Sequence, residues 1–194
     1  MRPRRQSMTQ APAPTDDSAL RSRSTLNLGC GRKYEPTAVN LDVTSDTGPD
    51  VVHDLNVLPW PFESDRFDVV LMYDVLEHLH DVLAVMEEVH RICRPGAIVR
   101  ISVPHFSSAN TFTDPTHRHQ FGALSFDYFT AEHRLSFYTR KHYRRRRVDM
   151  VFHPSLTNKV VRRLANRWPE RYEQRWAWMF PAWFLYAELE VTKP

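Results

Sequence analysis

The chain has 194 residues, 42% of them hydrophobic and 25% charged; that is enough for one domain with its own core, and no run of about 18 uninterrupted apolar residues is present to span a bilayer. Its net charge of +3 conceals a division: residues 25–139 hold eight basic against sixteen acidic side chains, and residues 140–194 hold thirteen against five. An acidic body argues against nucleic acid as the main ligand, because phosphate backbones need basic tracks, whereas the basic third suits an anionic substrate or a membrane surface.

Residues 1–24 are rich in Arg, Ser, Pro, Thr and Gln. They lack the apolar stretch of a secretory signal, Asp16 and Asp17 argue against a transit peptide, and the segment is expected to be a disordered tail. Organisation begins with the short apolar strand Thr25–Leu28, followed by Gly29-Cys30-Gly31. Strands are expected at Ala38–Asp42 and Asp50–Asp54, and the continuous apolar run Phe67–Tyr73 has the character of a buried parallel strand. Val82, Val85, Met86, Val89 and Cys93 recur at helical spacing, so a helix is predicted over 81–93, with Pro95-Gly96 as its stop. Ala97–Val103 is the next strand. Strands alternating with crossovers predict one α/β domain over 25–194, built on a doubly wound, mostly parallel sheet. The C-terminal third breaks the rhythm. Val148–Phe152 and Phe184–Thr192 read as strands, and 155–183 as a helical insertion of two pieces, with Pro169 in the first turn of the second. Two cysteines, Cys30 and Cys93, are too few for a disulfide framework and fit a reducing cytoplasm.

Ligands of open α/β sheets bind beyond the carboxyl ends of the strands. There, glycine at 29 and 31 permits a sharp turn and close backbone approach. Asp42 and Asp54 end the second and third strands, where one carboxylate can accept ribose hydroxyls and the other can meet an adenine amine. Together these strand ends fit an adenosine-bearing ligand. The nicotinamide-dinucleotide fingerprint is not met: Tyr34 stands where a third small residue is required, and Asp42 comes well before the expected acidic position.

The series Leu26–Gly31, Asp42, Asp54-Leu55, Phe67–Tyr73 running into Asp74-Val75-Leu76-Glu77-His78-Leu79, and Arg94-Pro95-Gly96 resembles that of the class I S-adenosylmethionine-dependent methyltransferases. The resemblance implies a Rossmann-like seven-stranded sheet whose last two strands form an antiparallel pair, with S-adenosylmethionine as cofactor over the strand ends. It implies Asn27, Gly29, Cys30 and Gly31 by the methionine portion, Asp42 at the ribose, and Asp54 with Leu55 at the adenine. Tyr73 and Asp74 would lie near the sulfonium, with His78 beside the cofactor. One departure stands out. Only Lys33–Asn40 separates the glycine segment from the strand carrying Asp42, less than a helical crossover requires, so a shortened or irregular first crossover and an open cofactor edge are expected.

On the acceptor side, 106–139 is expected to form a loop and helix over the site. His105, His117 and His119 are candidate general bases for a hydroxyl, with Asp114 as an orienting partner. Their ordinary alternative is turn capping that ties the loop to the sheet. His105, Asp114, His117 and His119 also have the chemistry of a Zn or Fe site. Asp74-x-x-Glu77-His78 is similar to the Glu-x-x-Glu-His segment that binds a divalent cation in ubiquinone-pathway O-methyltransferases. Leu-Glu-His also stands at this place in metal-free relatives, and no metal is expected. The basic run 140–147 reads as a solvated edge. Aromatic and basic residues of 155–183 read as packing on the sheet or as an edge that touches lipid. The resulting expectation is methyl transfer to oxygen of a small or glycan- or lipid-linked, anionic acceptor. A non-catalytic module that keeps the fold and binds cofactor or a partner is the alternative.

Overall fold

The computed structural model describes residues 24–139, 141–154 and 156–193, so the disorder expected of the tail lies, except for Ser24, outside the described residues. Seven strands form one sheet: β1 (Thr25–Leu28), β2 (Val39–Asp42), β3 (Val51–Val52), β4 (Phe67–Tyr73), β5 (Cys93–Pro104), β6 (His142–Val151) and β7 (Phe184–Thr192). Their order is β3-β2-β1-β4-β5-β7-β6. Neighbours among β1 to β5 pair parallel, and β7 runs antiparallel between β5 and β6. This is the doubly wound, Rossmann-like α/β sheet with an antiparallel close that the sequence predicts. The apolar runs are buried: Leu26, Leu28, Val70, Met72, Val99 and Ile101 are fully enclosed, as strands inside a parallel sheet must be.

Helix α1 (Val82–Ile92) joins β4 to β5. Asp81 caps it by accepting the Ala84 amide at 3.0 Å, which satisfies one of the orphan donors of the first turn. Val85, Met86, Val89 and Ile92 enter a core shared with Trp60 and Phe62 from the β3–β4 connection and with Phe126 and Phe129. The Glu88 carboxylate accepts the Trp60 amide at 2.7 Å and is bound by Arg91, also at 2.7 Å. One side chain thus fixes a connection that has no helix of its own.

Three boundaries differ from expectation. The third strand shrinks from 50–54 to Val51–Val52, because the Asp50 carboxylate turns back to accept the Asn40 amide at 2.7 Å and Asp54 opens a turn by accepting the Asn56 amide at 2.9 Å. Helix α1 ends at Ile92, within a residue of expectation, but β5 starts at Cys93 rather than Ala97, because Cys93 is already extended and pairs with Phe67. Pro95 and Gly96 lie inside β5, at the irregularity in its register with β4. β6 starts at His142 rather than Val148, so Arg144, Arg145, Arg146 and Arg147 are exposed side chains of an edge strand.

Between β6 and β7 lie α3 (Leu156–Arg167) and α4 (Pro169–Arg175), the latter with Pro169 in its first turn as expected. The 106–139 segment holds only the short helix α2 (Asn110–Thr113) and two single 3-10 turns, Ser125–Phe129 and Ser136–Tyr138. Among the described residues no helix is long and apolar enough to cross a membrane.

The β1–β2 crossover contains no helix, as its length requires. Its backbone groups find partners on buried Asn40 instead. Asn40 Oδ1 accepts from the Glu35 amide at 2.9 Å and from Asn27 Nδ2 at 3.0 Å. Its Nδ2 faces the carbonyls of Glu35 and Ala38 and the Asp50 carboxylate at 2.9–3.0 Å, while Asn27 Nδ2 also donates to the Lys33 carbonyl at 2.9 Å. Removing the hub leaves several enclosed polar groups unpaired. Asn40→Ala is therefore expected to lower unfolding stability by about 3 kcal/mol, read as a shift of the urea midpoint at unchanged slope.

Candidate active site

The carboxyl ends of β1, β2 and β4 meet at one place. Gly29 has φ +60°, and a Cβ built on it would lie 2.5 Å from Val75 Cγ2, so no other residue lets the β1 turn close against the exit of β4. Gly31, at φ +47°, has open space where its side chain would be, and its amide donates to Asp42 Oδ2 at 2.7 Å. Asp42 Oδ1 accepts the Thr44 amide at 3.2 Å. The carboxylate is thus held by two backbone donors and keeps lone pairs for ligand hydroxyls. Cys30 is enclosed in the same turn, and burial raises its thiol pKa. Cys30 and Cys93 are both free thiols.

At the end of β4, Tyr73 is half-buried and Asp74 adopts φ +60°, a left-handed conformation that non-glycine residues hold only under constraint. Its amide donates to the Ser102 carbonyl at 2.9 Å, and its Oδ2 pairs with Lys33 Nζ at 2.6 Å. The second oxygen, Oδ1, is enclosed without a hydrogen-bond partner. Asp54 stands exposed at the rim and accepts from the Asn56 amide and Nδ2 at 2.9 and 3.0 Å. Leu55 is buried beside it, and its carbonyl accepts Trp60 Nε1 at 3.1 Å. The residues present fit S-adenosylmethionine: a cradle that a Cβ at 29 would obstruct, a supported carboxylate at Asp42, and an unpaired carboxylate oxygen of Asp74 suited to a cationic group.

The acceptor-side candidates separate into two groups. His105 is fully buried and both its nitrogens are engaged, Nδ1 with Ser107 Oγ at 2.8 Å and Nε2 with Glu173 Oε1 at 3.1 Å. Glu173 also accepts the Ala123 amide at 2.6 Å, so this pair fastens α4 to the loop after β5. His119 Nε2 donates to the Leu79 carbonyl at 2.9 Å and ties the loop to the segment after β4. By contrast, His117 is brought against His78, with ring centroids 4.7 Å apart and edge to face. His117 Nδ1 donates to the Thr111 carbonyl at 3.1 Å. Asp114 is one step removed: its Oδ1 accepts from Thr116 Oγ1 at 2.6 Å, and Thr116 Oγ1 meets His78 Nδ1 at 2.9 Å. His78, expected beside the cofactor, therefore belongs with His117.

The sequence reading did not select Glu77 or Lys33 for the site. Glu77 is 1% exposed, in the 3-10 turn Leu76–His78. Burial, with some help from Asp74 and Asp114, pushes its carboxyl up to about 8. Burial and then the neighbouring His117 hold His78 below the usual imidazole value, and Thr116 bonding keeps Asp114 below the usual carboxylate range. Glu77, His78 and His117 each offer a ligand atom within 4.8 Å of the others, a set that can hold a metal ion.

Helices α3 and α4 lie on the acceptor side, because Glu173 of α4 reaches His105 at the end of β5. A largely apolar cavity of about 270 Å³ opens between them, lined by Leu164, Trp168, Tyr172, Trp176 and Phe180 among others. Beyond it, Trp178 is 70% and Met179 65% exposed. The cofactor side yields a quantitative expectation: Asp42→Ala weakens S-adenosylmethionine binding by tenfold or more, about 1.4 kcal/mol, in isothermal titration. An unchanged affinity would remove Asp42 from the site.

Comparison with known proteins agrees with the fold. A family model described as a methyltransferase domain matches residues 13–147. None of the curated proteins matches the sequence. Among solved structures, a SAM-dependent methyltransferase from Archaeoglobus fulgidus is similar with a TM-score of 0.62 at 16% identity, over 90% of this chain and 92% of its own. One from Mesorhizobium loti has a TM-score of 0.55 at 17% identity, over 89% and 95%. A Haloferax volcanii methyltransferase in complex with the Trm112 activator has a TM-score of 0.55 at 16% identity, over 88% and 83%. At these identities the structural likeness speaks for the fold, and the family match covers most of the chain. The chain belongs to the class I methyltransferase family, enzymes that take S-adenosylmethionine as cofactor.

Proposed function

We propose that the protein methylates a hydroxyl oxygen of a small, glycan-linked or lipid-linked acceptor, and that the oxygen is activated at the cluster of Glu77, His78 and His117. The observation that carries this reading is the bonding of the two imidazoles. Each is anchored through Nδ1, by the Thr111 carbonyl or the Thr116 hydroxyl, and each keeps Nε2 without a hydrogen bond among the described residues. Bound cofactor supplies an electrophilic methyl group on a sulfonium. The protein's own part is then to hold Asp42 and Asp74 against the donor, to align the acceptor for in-line displacement, and to accept the hydroxyl proton. In the metal-free protein, His117 Nε2 is the base best suited to that task. His105, His119 and Asp114 act as positioning residues in this reading, since their hydrogen bonds tie the loop after β5 to α4, to the segment after β4 and, through Thr116, to His78. His117→Ala is expected to lower turnover about a hundredfold and to leave the S-adenosylmethionine Kd within twofold, measured by product formation over a panel of hydroxyl acceptors. Cofactor binding with no turnover on any acceptor would favour the non-catalytic module instead.

The α3–α4 surface supports a lipid-linked, anionic acceptor. Lys159, Arg162, Arg163, Arg167, Arg171 and Arg175 are exposed beside the exposed apolar residues Val160, Leu164, Trp168 and Trp176. The Arg167 guanidinium lies 5.6 Å from the Trp168 ring centroid. A basic polar side next to tryptophans is the pattern of a helix that rests in a membrane interface, and its nearness to His105 would present a headgroup to the site. The protein is expected to sediment with vesicles containing phosphatidylglycerol and not with phosphatidylcholine alone, and to be released by raised salt. Equal recovery in the supernatant with both vesicles would eliminate the lipid-linked acceptor.

A further inference from the structure

The cluster beside the cofactor site carries a feature that proton transfer alone does not explain. Neither Oε1 nor Oε2 of Glu77 has a hydrogen-bond partner, although the residue is 1% exposed. An enclosed polar group left without a hydrogen bond costs several kcal/mol, and native proteins keep such groups for a reason, a bound ion among them. Lys33, the cation whose charge acts on Glu77, is itself engaged by Asp74 at 2.6 Å.

The two histidines are set to meet the same ion. His117 Nδ1 faces a carbonyl, which only accepts, so that nitrogen carries the hydrogen and Nε2 is a lone pair. His78 Nδ1 faces Thr116 Oγ1, whose own hydrogen is directed to Asp114 at 2.6 Å. Nδ1 of His78 therefore donates as well, and its Nε2 is also a lone pair. Carboxylate–hydroxyl–imidazole and carbonyl–imidazole chains of this kind fix the tautomer and ring angle of metal-bound histidines.

We propose that Glu77, His78 and His117 bind a divalent transition-metal ion of the zinc class, with Asp114 through Thr116 and the Thr111 carbonyl as its outer partners. Two imidazoles and one carboxylate suit Zn or Fe(II). A single carboxylate with two nitrogens is a poor site for Mg or Ca, which require oxygen. The ligand atoms lie within 4.8 Å of one another, and bonds of about 2.0–2.2 Å hold tetrahedral neighbours about 3.4 Å apart, so a small approach of the side chains completes the site. Asp74 is not among the residues whose ligand atoms meet within this distance. Binding stands on this geometry alone; a role for the ion in activating the acceptor, in place of His117 as base, rests on the proposed function.

The test uses the full chain without a histidine tag, stripped with chelator and titrated with zinc chloride by calorimetry and with cobalt chloride by visible absorption. The expected result is one ion per chain with micromolar or tighter affinity and an intense tetrahedral cobalt spectrum. Glu77→Gln and His117→Ala should each weaken affinity tenfold or more, and Thr116→Val severalfold. Thermal melting of the stripped variants checks that each is folded, and the partly exposed His117 and Thr116 keep the test valid if Glu77→Gln fails to fold. Absence of stoichiometric uptake, or uptake unchanged in the folded variants, overturns the proposal. Ion binding without methylation of any acceptor upholds this site and counts against the O-methylation reading. Methylation that is unaffected by chelation in a protein that takes up no ion does the reverse.

Discussion

Position 29 has no room for a side chain, because Val75 Cγ2 occupies the space a Cβ would need. That contact joins the turn after β1 to the segment leaving β4, and both halves of the site are hung from it. On one side Gly31 and Asp42 are brought within a hydrogen bond of each other. On the other the chain passes through the left-handed Asp74 into Leu76–His78, and so delivers Glu77 and His78 to the loop that carries His117. The left-handed Asp74 is held by its amide's bond to the Ser102 carbonyl on β5, and its side chain pairs with Lys33. That pair is solvent-exposed and contributes little to stability; its effect is to occupy one carboxylate oxygen and leave the other unpaired.

The two faces of the site are built by different means. The cofactor side relies on main-chain geometry: two glycines, an aspartate bonded to amides, and a helix-free crossover organised by Asn40. The acceptor side relies on side-chain networks across segments distant in sequence. Side chains of Asp114, Thr116 and Glu173, with the main-chain carbonyls of Glu77 and Thr111, each fix a histidine or the loop that bears it. Proteins vary loops of this kind more readily than strand ends, and it is here that an acceptor would be recognised.

Most strand positions, the turn at Gly29–Gly31 and the place of Asp42 at the end of β2 were legible because each is encoded locally, as a continuous apolar run, a Gly-x-Gly segment or a carboxylate after one; the antiparallel close of the sheet followed from the family resemblance. The start of β6 was not legible, since four consecutive arginines show no alternation and only pairing with β7 reveals them as a strand. The sequence places the start of β5 late because Pro95-Gly96 reads as a break by propensity, yet Cys93 already pairs with Phe67 in the sheet. His105, His117 and His119 look equivalent in sequence. What distinguishes them is distance to Glu173, to His78 and to the Leu79 carbonyl, and no spacing rule carries that information. Glu77 was legible only as part of a motif; its isolation from any donor is a property of the folded interior.

The arginines of β6 have a consequence at the level of the whole sheet. An edge strand offers a row of unpaired amides and carbonyls to any other strand it meets. Here that edge presents Arg144 and Arg146 held to Glu190, Arg145 held to Asp127, and Arg147 held to Asp149. A second copy aligning on it would bring its own four guanidinium groups alongside. The opposite edge, β3, is two residues long and offers almost no ladder to extend. The sheet is thus closed to growth at both ends, by charge at one and by brevity at the other. Apolar surface near the site is concentrated instead on α3 and α4, which cannot template cross-strand assembly.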